Sequence, residues 1–183
     1  KFICNYADDY GGAIYSENDN VFLQNNTMLT NTANGITNDV YYDTRTFSIL
    51  EDEIANSNGV LNINYEYTAT SSNDIDVYHN MIINGNGHIL NAYDRTSKFL
   101  YLHDNVNVIV YNTIFTNFFS NNYNGFIKVN KGCTLTLINC TFLNCTSNNG
   151  GIYNYGDLNV VNCTFYNCMA DSGKFGTADG GAI

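Results

Sequence analysis

The most constraining feature of the sequence is a short repeat. Asn-Cys-Thr-Phe-x-Asn-Cys occurs at 139–145 and again at 162–168, and the looser template Asn-x-x-[Phe/Leu]-x-Asn also fits 112–118 and 26–32. Each copy follows a short apolar or alternating run that is typical of a β-strand. One such repeat cannot bury its apolar face unless neighbouring copies stack on it, so the pattern predicts a solenoid.

A second signature recurs in step with the first and marks a glycine corner followed by a short strand. A period of about 23–30 residues is too short for a propeller blade, and the repeat has no helix of the kind found in leucine-rich repeats. The sequence therefore predicts an all-β chain folded as a parallel β-helix. The corners are Gly11-Gly12-Ala13-Ile14, Gly125-Phe126-Ile127, Gly150-Gly151-Ile152 and Gly180-Gly181-Ala182-Ile183.

Stacked turns place equivalent side chains above one another, because successive strands lie about 4.8 Å apart. The repeat thus predicts two asparagine ladders whose amides hydrogen-bond from turn to turn. It also predicts an internal stack of Phe115, Phe142 and Phe165. The first ladder comprises Asn26, Asn112, Asn139 and Asn162, and the second comprises Asn31, Asn117, Asn144 and Asn167.

The period breaks at the only amphipathic helical stretch in the sequence, residues 46–55, which carries a Ser48-x-x-Glu51 capping box. A solenoid needs its open end covered, so we predict a short capping α-helix near 47–56, with Gly59 positioned to stop it. The side chains expected to bury against the first turn are Phe47, Leu50 and Ile54, and those expected to face water are Glu51, Asp52 and Glu53.

This helix also indicates a domain boundary near residue 40. Residues 1–39 are predicted to be the end of an upstream β-helical stretch. Residues 40–183 are predicted to be a capped parallel β-helix module that is truncated at its C-terminal end. The chain begins without Met and stops within a repeat signature, which is typical of an excised piece.

Charge and hydropathy argue against two classes of partner. Seven Lys and Arg residues against seventeen Asp and Glu residues give a net charge of −10, which would repel a nucleic-acid backbone. No stretch approaches the roughly 18 apolar residues that span a bilayer. We therefore predict no nucleic-acid partner and no membrane span in this fragment.

Two groups of surface proteins are similar to these motifs. Gly-Gly-Ala-Ile together with Cys-Thr-Phe-x-Asn-Cys resembles the repeats of chlamydial polymorphic outer membrane proteins. The module from Phe47 through Ile83-Asn84-Gly85-Asn86-Gly87-His88 to Val110 resembles adhesin-like surface proteins of methanogenic archaea. The resemblance covers nearly the whole chain and implies a right-handed parallel β-helix of the pectate-lyase type that serves attachment at the cell surface. These families are defined by scaffold repeats, so the resemblance implies no catalytic motif.

Six cysteines leave three interpretations open. Cys140-x4-Cys145 and Cys163-x4-Cys168 are near the spacing of a four-cysteine zinc site, yet other copies of the repeat hold Thr or Phe at these positions. The pattern favours stacked thiols, with disulfides between turns second and a metal third. Pairs such as Cys140 with Cys163 would lie near the Cα separation that disulfides tolerate. We predict no metal site and no cofactor.

Four N-glycosylation sequons occur, at Asn25, Asn139, Asn144 and Asn162. Three of them coincide with ladder positions, where an amide committed to the stack cannot carry a glycan. Asn25 lies outside the ladders and is the better candidate for glycosylation.

A pectate-lyase-like scaffold raises the hypothesis of a carbohydrate-active enzyme, which needs clustered carboxylates with a basic residue or carboxylates spaced for acid–base work. The acids are scattered and almost absent from the regular strands, so we predict no catalytic residue. Arg45 and Arg95 are the only arginines. The pairs close in sequence are Asp94 with Arg95, His103 with Asp104, and Asp74 with Asp76.

The remaining polar candidates also have structural explanations. Carboxylates beside glycine corners, which are Asp8, Asp9 and Asp179, are better explained as solvated turn residues than as weak Ca²⁺ ligands. The three histidines have no cysteine or carboxylate at ligand spacing in the sequence, so we interpret them as structural or exposed. They are His79, His88 and His103.

The tyrosines are the remaining candidates for contact with a ligand. Tyr offers contact area at low side-chain entropy, so exposed tyrosines can stack on sugar rings or bury against a protein partner. Tyr also packs well on pleated surfaces, and strand filling is the alternative. The candidates are Tyr41, Tyr42, Tyr65, Tyr67, Tyr153, Tyr155 and Tyr166.

From these features, the sequence predicts a non-enzymatic extracellular adhesin segment. It would be a rigid β-helical stalk or binding module of a larger cell-surface protein, and its partner would be a surface protein or a polysaccharide. Two alternatives stay open. One is a carbohydrate-active enzyme of the polysaccharide lyase or glycosidase type on the same scaffold, and the other is a structural spacer that binds nothing itself.

Overall fold

A computed structural model describes residues 2–3, 6–7, 14–16, 28–29, 32–33, 36–37, 40–42, 44–70, 74–93, 98–120, 125–148, 150–170 and 183. The chain forms two compact units, residues 1–44 and residues 45–183. The assignment of residues 1–39 to an upstream stretch and of residues 40–183 to a capped module stays a prediction.

The smaller unit contains short strands. Three of its strand pairs are parallel, namely β1 with β4, β2 with β5 and β3 with β7, while β5 and β6 pair in antiparallel fashion. The strands are β1 (Phe2–Ile3), β2 (Tyr6–Ala7), β3 (Ile14–Ser16), β4 (Met28–Leu29), β5 (Thr32–Ala33), β6 (Ile36–Thr37) and β7 (Val40–Tyr42).

The larger unit is a parallel β-solenoid of about four turns with one helix, α1 (Phe47–Asn56), among its described residues. The strands from residue 44 onward are β8 (Thr44–Thr46), β9 (Val60–Asn62), β10 (Glu66–Thr68), β11 (Asp74–Val77), β12 (Met81–Asn84), β13 (Ile89–Asn91), β14 (Lys98–Leu102), β15 (Asn107–Tyr111), β16 (Ile114–Thr116), β17 (Phe119–Ser120), β18 (Ile127–Val129), β19 (Thr134–Ile138), β20 (Thr141–Leu143), β21 (Thr146–Ser147), β22 (Ile152–Asn154), β23 (Asp157–Val161), β24 (Thr164–Tyr166) and β25 (Met169–Ala170).

Strands of successive turns stack into three long sheets and one short sheet. The first sheet has the order β9-β12-β15-β19-β23, the second β8-β10-β13-β16-β20-β24, and the third β11-β14-β18-β22. The short sheet is β17-β21-β25. The predicted parallel β-helix is confirmed.

Alternation along each strand decides which side chains enter the core. In β19, Leu135 and Leu137 are fully buried, whereas the residues between and beside them are only half-buried. Each turn contributes a similar set of inward side chains, so one continuous apolar core runs through the solenoid. Burial of this apolar surface is the main stabilising term of the fold.

The predicted phenylalanine stack is confirmed. Phe115 and Phe142 lie in register on neighbouring strands, with ring centroids 4.6 Å apart and planes 8° apart. Phe142 and Phe165 repeat this geometry at 4.6 Å and 3°. The 4.6 Å centroid separation is close to the strand spacing itself, which means that the backbone register alone stacks the rings.

The predicted asparagine stacking is confirmed where the structure describes it. In the first ladder, Asn162 donates through Nδ2 to Oδ1 of Asn139 at 2.7 Å, and Asn139 donates to Asn112 at 3.4 Å. In the second ladder, Asn167 donates to Asn144 at 2.9 Å. Asn26 and Asn31 lie outside the described residues.

The ladder asparagines have a second role that the repeat did not reveal. Each of the six described ladder asparagines adopts a left-handed backbone conformation, with φ between 51° and 56°. Asparagine tolerates this conformation better than other residues that carry a Cβ. The backbone bends between sheets at these positions, so the residue both turns the chain and links the turns. The six residues are Asn112, Asn117, Asn139, Asn144, Asn162 and Asn167.

Asn139→Ala is expected to lower the free energy of unfolding by about 2–3 kcal/mol, because it removes two side-chain hydrogen bonds and places a Cβ residue in left-handed backbone. Asn139→Gly is the matched control, since it removes the same bonds without the conformational strain, and we expect it to cost about 1 kcal/mol less. Urea unfolding measures both variants. Equal losses for Ala and Gly would show that the left-handed conformation contributes nothing.

The predicted glycine corners are confirmed at two positions. β18 and β22 begin directly after Gly125-Phe126 and Gly150-Gly151. Gly125 has φ +63°, and a Cβ there would lie 2.6 Å from the carbonyl oxygen of Gly151 in the next turn. Only glycine permits this close approach between turns. The corners at 11–12 and 180–181 lie outside the described residues.

Helix α1 spans the predicted residues and buries the predicted side chains. Phe47, Leu50 and Ile54 are at most 1% exposed. The Phe47 ring stacks on Phe118 with centroids 5.9 Å apart, and it lies 6.5 Å from the Phe99 ring. These contacts make the helix part of the solenoid core and not merely a cover over its first strands.

The predicted span of 47–56 is confirmed, but the residues predicted to cap the helix are not its caps. The N-cap is Thr46 and not Ser48, and Thr46 makes no side-chain capping bond. Burial of Phe47 decides the start, because the helix must begin there for its first apolar residue to reach the core. The helix ends at Asn56, where Ser57 Oγ donates to the Ile54 carbonyl at 2.9 Å, before Gly59 is reached.

Glu53 does not simply face water as the pattern predicts. Its Oε1 accepts a hydrogen bond from Arg45 Nη1 at 2.8 Å, and its Oε2 accepts one from the Tyr67 hydroxyl at 2.5 Å. Tyr67 is 1% exposed, so its hydroxyl requires a partner at the edge of the core. Glu53 therefore ties the helix to the first turn, whereas Asp52 is exposed.

Candidate functional site

The third sheet presents one outward side chain in each turn. Val77, Leu102 and Val129 are buried, so the residue before each of them points outward, because side chains alternate along a strand. These outward residues stand at one register and form a row across successive turns. They are Asp76, Tyr101, Lys128 and Tyr153.

The corner that follows the third sheet adds a second row beside the first. Tyr78 and His103 directly follow the buried Val77 and Leu102, and Tyr155 directly follows Asn154, which pairs with Val129 at the same register. Tyr78 is 60% exposed and Tyr155 is 61% exposed. Together the two rows form a surface that we call the aromatic face, which consists of Asp76, Tyr78, Tyr101, His103, Lys128, Tyr153 and Tyr155.

His103 lies at the centre of one half of the aromatic face. Its Nε2 is 2.8 Å from Oδ1 of Asp76, which lies 27 residues earlier in the sequence. Its ring stacks on Tyr78 with centroids 4.6 Å apart and planes 16° apart, and it lies 3.9 Å from the Tyr101 ring. The carboxylate and two rings therefore hold this imidazole in one orientation.

The other half of the face combines a cation with paired hydroxyls. Lys128 Nζ donates to the Tyr101 hydroxyl at 3.0 Å and lies 4.5 Å from the centre of its ring. The hydroxyls of Tyr153 and Tyr155 are 2.7 Å apart, and their rings meet edge to face at 86°. Contacts between side chains thus order the whole face before any ligand arrives.

An open groove of about 500 Å³ lies beside the aromatic face. Its lining combines carboxylate, amide, ammonium and phenol groups. These are the polar groups that hydrogen-bond sugar hydroxyls, and the Tyr155 ring supplies an apolar surface among them. The lining residues are Asp104, Asn105, Asn130, Lys131 and Tyr155.

Electrostatic interactions raise the pKa of two tyrosines of the face. The negative charge of Asp76 raises the pKa of Tyr78 above its ordinary value of 10.0. The hydrogen bond with Tyr155 raises the pKa of Tyr153 in the same direction. The hydroxyls of Tyr78 and Tyr153 therefore remain neutral near physiological pH and can both donate and accept hydrogen bonds.

Only some of the tyrosines predicted from the sequence as binding residues lie together in the structure. Tyr153 and Tyr155 lie on the aromatic face, whereas Tyr166 is exposed on the second sheet and Tyr67 is buried. Tyr65 lies under Arg45, whose guanidinium carbon is 3.6 Å from the ring centre. The side chains of Tyr41 and Tyr42 lie outside the described residues.

Sequence reasoning missed Tyr78 and Tyr101 as members of the face. The repeat motifs do not include them, because they lie in the irregular first turns of the module. A signal was present in the alternation of Leu100, Tyr101 and Leu102, where two apolar residues flank a tyrosine. That alternation indicates an outward tyrosine, although only the register places it between Asp76 and Lys128.

The histidines and acids take specific partners. His79 Nε2 lies 3.3 Å from Ser57 Oγ, and His88 Nδ1 lies 3.8 Å from Glu66 Oε1. Asp94 and Arg95 lie outside the described residues, as do the side chain of Asp74 and the turn acids Asp8, Asp9 and Asp179.

A second, smaller pocket lies beside helix α1, and its polar groups already bind one another. It measures about 290 Å³ and is lined by Arg45, Glu53 and Tyr67 among others. Burial, together with the hydrogen bond to Glu53, raises the pKa of Tyr67. Since the carboxylate holds both the guanidinium and the phenol, this cluster serves to attach the helix.

The described cysteines are free thiols, and the four that belong to the repeat lie at equivalent positions on successive turns. The Cys140 amide donates to the sulfur of Cys163 in the next turn at 3.4 Å. Burial raises the pKa of Cys140 to about 11, so this thiol stays protonated in the core. Within the described ranges, no three His, Cys, Asp or Glu side chains gather as a set that could hold a metal ion.

Three of the sequon asparagines are exposed, and their side-chain amides form hydrogen bonds between turns. Asn139 and Asn162 bond each other, and Asn144 accepts from Asn167. An Nδ2 that carries a glycan loses one of its two donor hydrogens, and the bulky sugar would need room between turns. Asn25 lies outside the described residues.

Comparison of the chain with protein-family models, with curated proteins and with solved structures gives no match. Among the residues that the structure describes, no helix has the length and apolar character required to cross a bilayer. The function must therefore be argued from the surface itself.

Proposed function

We propose that the chain is a non-enzymatic adhesin segment of a larger extracellular, cell-surface protein, in which the β-solenoid is a rigid stalk and the aromatic face binds a polysaccharide. One observation carries the proposal. Two strongly exposed tyrosines, Tyr78 and Tyr155, stand on one ordered surface beside a polar groove of about 500 Å³. Exposed aromatic rings next to fixed polar groups are the usual composition of a small-molecule or glycan subsite.

The direction of the face favours a chain-like ligand. Its residues are contributed by successive turns, so the rings and polar groups repeat along the solenoid axis at about 4.8 Å steps. An extended polysaccharide offers rings and hydroxyls in a linear series, which matches such a row. The net charge of −10 argues against a strongly anionic polymer as the ligand.

A carbohydrate-active enzyme on the same scaffold is the second candidate, and a specific observation favours it. The contact between His103 and Asp76, at 2.8 Å, orients an imidazole next to the groove. An imidazole held by a carboxylate is a common general base. Release of soluble oligosaccharide that disappears in His103→Ala would replace the adhesin proposal with this one.

The test is retention of the full chain on insoluble cell-wall polysaccharides, with the supernatant analysed for released oligosaccharides. We expect retention without release. Tyr78→Ala and Tyr155→Ala are each expected to weaken binding about tenfold, because a central aromatic contact contributes more than 1 kcal/mol. Tyr166→Ala is the matched control, since Tyr166 is 67% exposed but lies on the second sheet.

Two results would contradict the proposal. Absence of retention on every polysaccharide would favour the structural spacer. Equal weakening by Tyr166→Ala and Tyr155→Ala would show that the aromatic face is not the binding surface. Circular dichroism of each variant confirms that the fold is retained.

A further inference from the structure

The last two described turns of the solenoid hold cysteines at equivalent positions. Thr146 and Met169 lie in register on β21 and β25, so Cys145 and Cys168, which directly precede them, stand on adjacent turns. The Met169 amide donates to the Cys145 carbonyl at 2.9 Å, which fixes the backbones side by side. The thiol of Cys145 donates to the Leu143 carbonyl at 3.4 Å, and that of Cys168 donates to the Phe142 carbonyl at 3.6 Å.

We propose that Cys145 and Cys168 form a thiol-exchange site that reacts with low-molecular-weight disulfides and closes a disulfide between two turns of the solenoid. The inference is independent of the proposed glycan binding, because the two residues lie outside the aromatic face and its groove.

The separation of the two residues suits the bond. Adjacent parallel strands place equivalent Cα atoms about 4.8 Å apart, which lies inside the range of about 4.4–6.8 Å that disulfides span. Closing the bond therefore requires a side-chain rotation and no movement of the strands.

The two thiols differ in the way that exchange requires. Cys145 is 1% exposed, whereas Cys168 is half-buried and accessible to a small reagent. The S–H of Cys145 stabilises the thiolate of Cys168, so the pKa of Cys168 is lowered while that of Cys145 is raised. The thiolate is the attacking species in thiol–disulfide exchange, which makes Cys168 the entry point.

The reaction proceeds in two balanced steps. The Cys168 thiolate, having given its proton to solvent, attacks one sulfur of the small disulfide, and the small S–S bond breaks as the mixed disulfide forms. One small thiolate leaves. Cys145 then loses its proton and attacks the Cys168 sulfur, which closes the bond between the turns and releases the second small thiol. The two protein thiols are oxidised, and the small disulfide is reduced to two thiols.

The experiment treats the native full chain with oxidised glutathione, blocks the remaining thiols with iodoacetamide, and maps the products by mass spectrometry. We expect a peptide linked through Cys145 and Cys168, and the loss of two free thiols per chain. In Cys145→Ser, glutathione should stay attached to Cys168, because no resolving thiol is present. In Cys168→Ser, the reaction at this position should be lost.

Cys163→Ser is the matched control, because Cys163 is also a half-buried thiol on the same turn. The link between Cys145 and Cys168 should persist in this variant. The proposal is overturned if the native chain does not react, if Cys168 retains glutathione in the unmodified sequence, or if the only link formed joins Cys140 to Cys163. Each of these results is read from the native chain, so none depends on a variant that fails to fold.

Discussion

Phe142→Ala is expected to lower the free energy of unfolding by about 3–5 kcal/mol, as large-to-small replacements in a closed core do. Phe142 is fully buried, and its ring lies between those of Phe115 and Phe165 at 4.6 Å on each side. Removing the middle ring leaves a cavity that the stacked backbones cannot close, because their spacing is set by hydrogen bonds between turns. Urea unfolding followed by far-UV circular dichroism measures the change.

Leu143→Ala provides the matched control for Phe142→Ala. Leu143 follows Phe142 on β20 but points outward and is half-buried, so we expect a loss of less than about 1 kcal/mol. A spectrum dominated by helix, or an unfolding curve of Phe142→Ala that overlays the original, would contradict the stacked arrangement.

Deleting helix α1 is expected to produce self-association together with a large loss of stability. The helix buries Phe47 against Phe99 and Phe118, and removing it exposes these aromatic rings and the edge of the first turn. An uncovered strand edge templates pairing with another chain. Static light scattering across a concentration series measures the association, and thermal unfolding measures the stability.

Point substitutions on the same helix distinguish its packing into the core from its covering of the strand edge. Phe47→Ala is expected to lower the free energy of unfolding by about 3–5 kcal/mol while leaving most of the edge covered. Ile49→Ala is the matched control, because Ile49 is 41% exposed, and its effect should stay within about 0.5 kcal/mol. A deletion variant that remains monomeric with an unchanged melting temperature would contradict the capping role.

The stacked core could be predicted from the sequence because one short motif determines it and recurs in successive turns. Asn-Cys-Thr-Phe-x-Asn-Cys specifies a corner, an inward ring and a second corner within seven residues. Once two copies stack in register, the position of Phe142 above Phe115 follows without further choice. The asparagine ladders follow for the same reason, although the left-handed backbone at Asn139 is visible only in the structure.

The span of α1 could be predicted from its apolar pattern, but its N-cap could not, because two signals compete at its start. A capping box at Ser48 favours one start, while burial of Phe47 requires an earlier one, and burial contributes more free energy than a cap. The partners of Glu53 could not be predicted from the sequence either. Its position on the helix indicates water, but the buried hydroxyl of Tyr67 and the guanidinium of Arg45 approach it from other elements.

The candidate site was predicted only through Tyr153 and Tyr155, which lie two residues apart on one strand and its corner. The contact between His103 and Asp76 joins residues that are 27 positions apart, and no motif marks that pair. Earlier turns of the module differ in length from later ones, so the spacing between equivalent residues is not constant. Only the register of β11, β14 and β18 shows which outward residues are neighbours.

By itself, the sequence determined that the chain forms stacked turns, that Phe115, Phe142 and Phe165 share the core, and that asparagines link the corners, because each of these depends on a pattern repeated within a few residues. The tertiary structure alone decided which side chains meet across turns on the outer surface. Alternation along a strand determines whether a side chain points inward or outward. Which outward side chains are neighbours depends on the parallel register and on the lengths of the loops between strands.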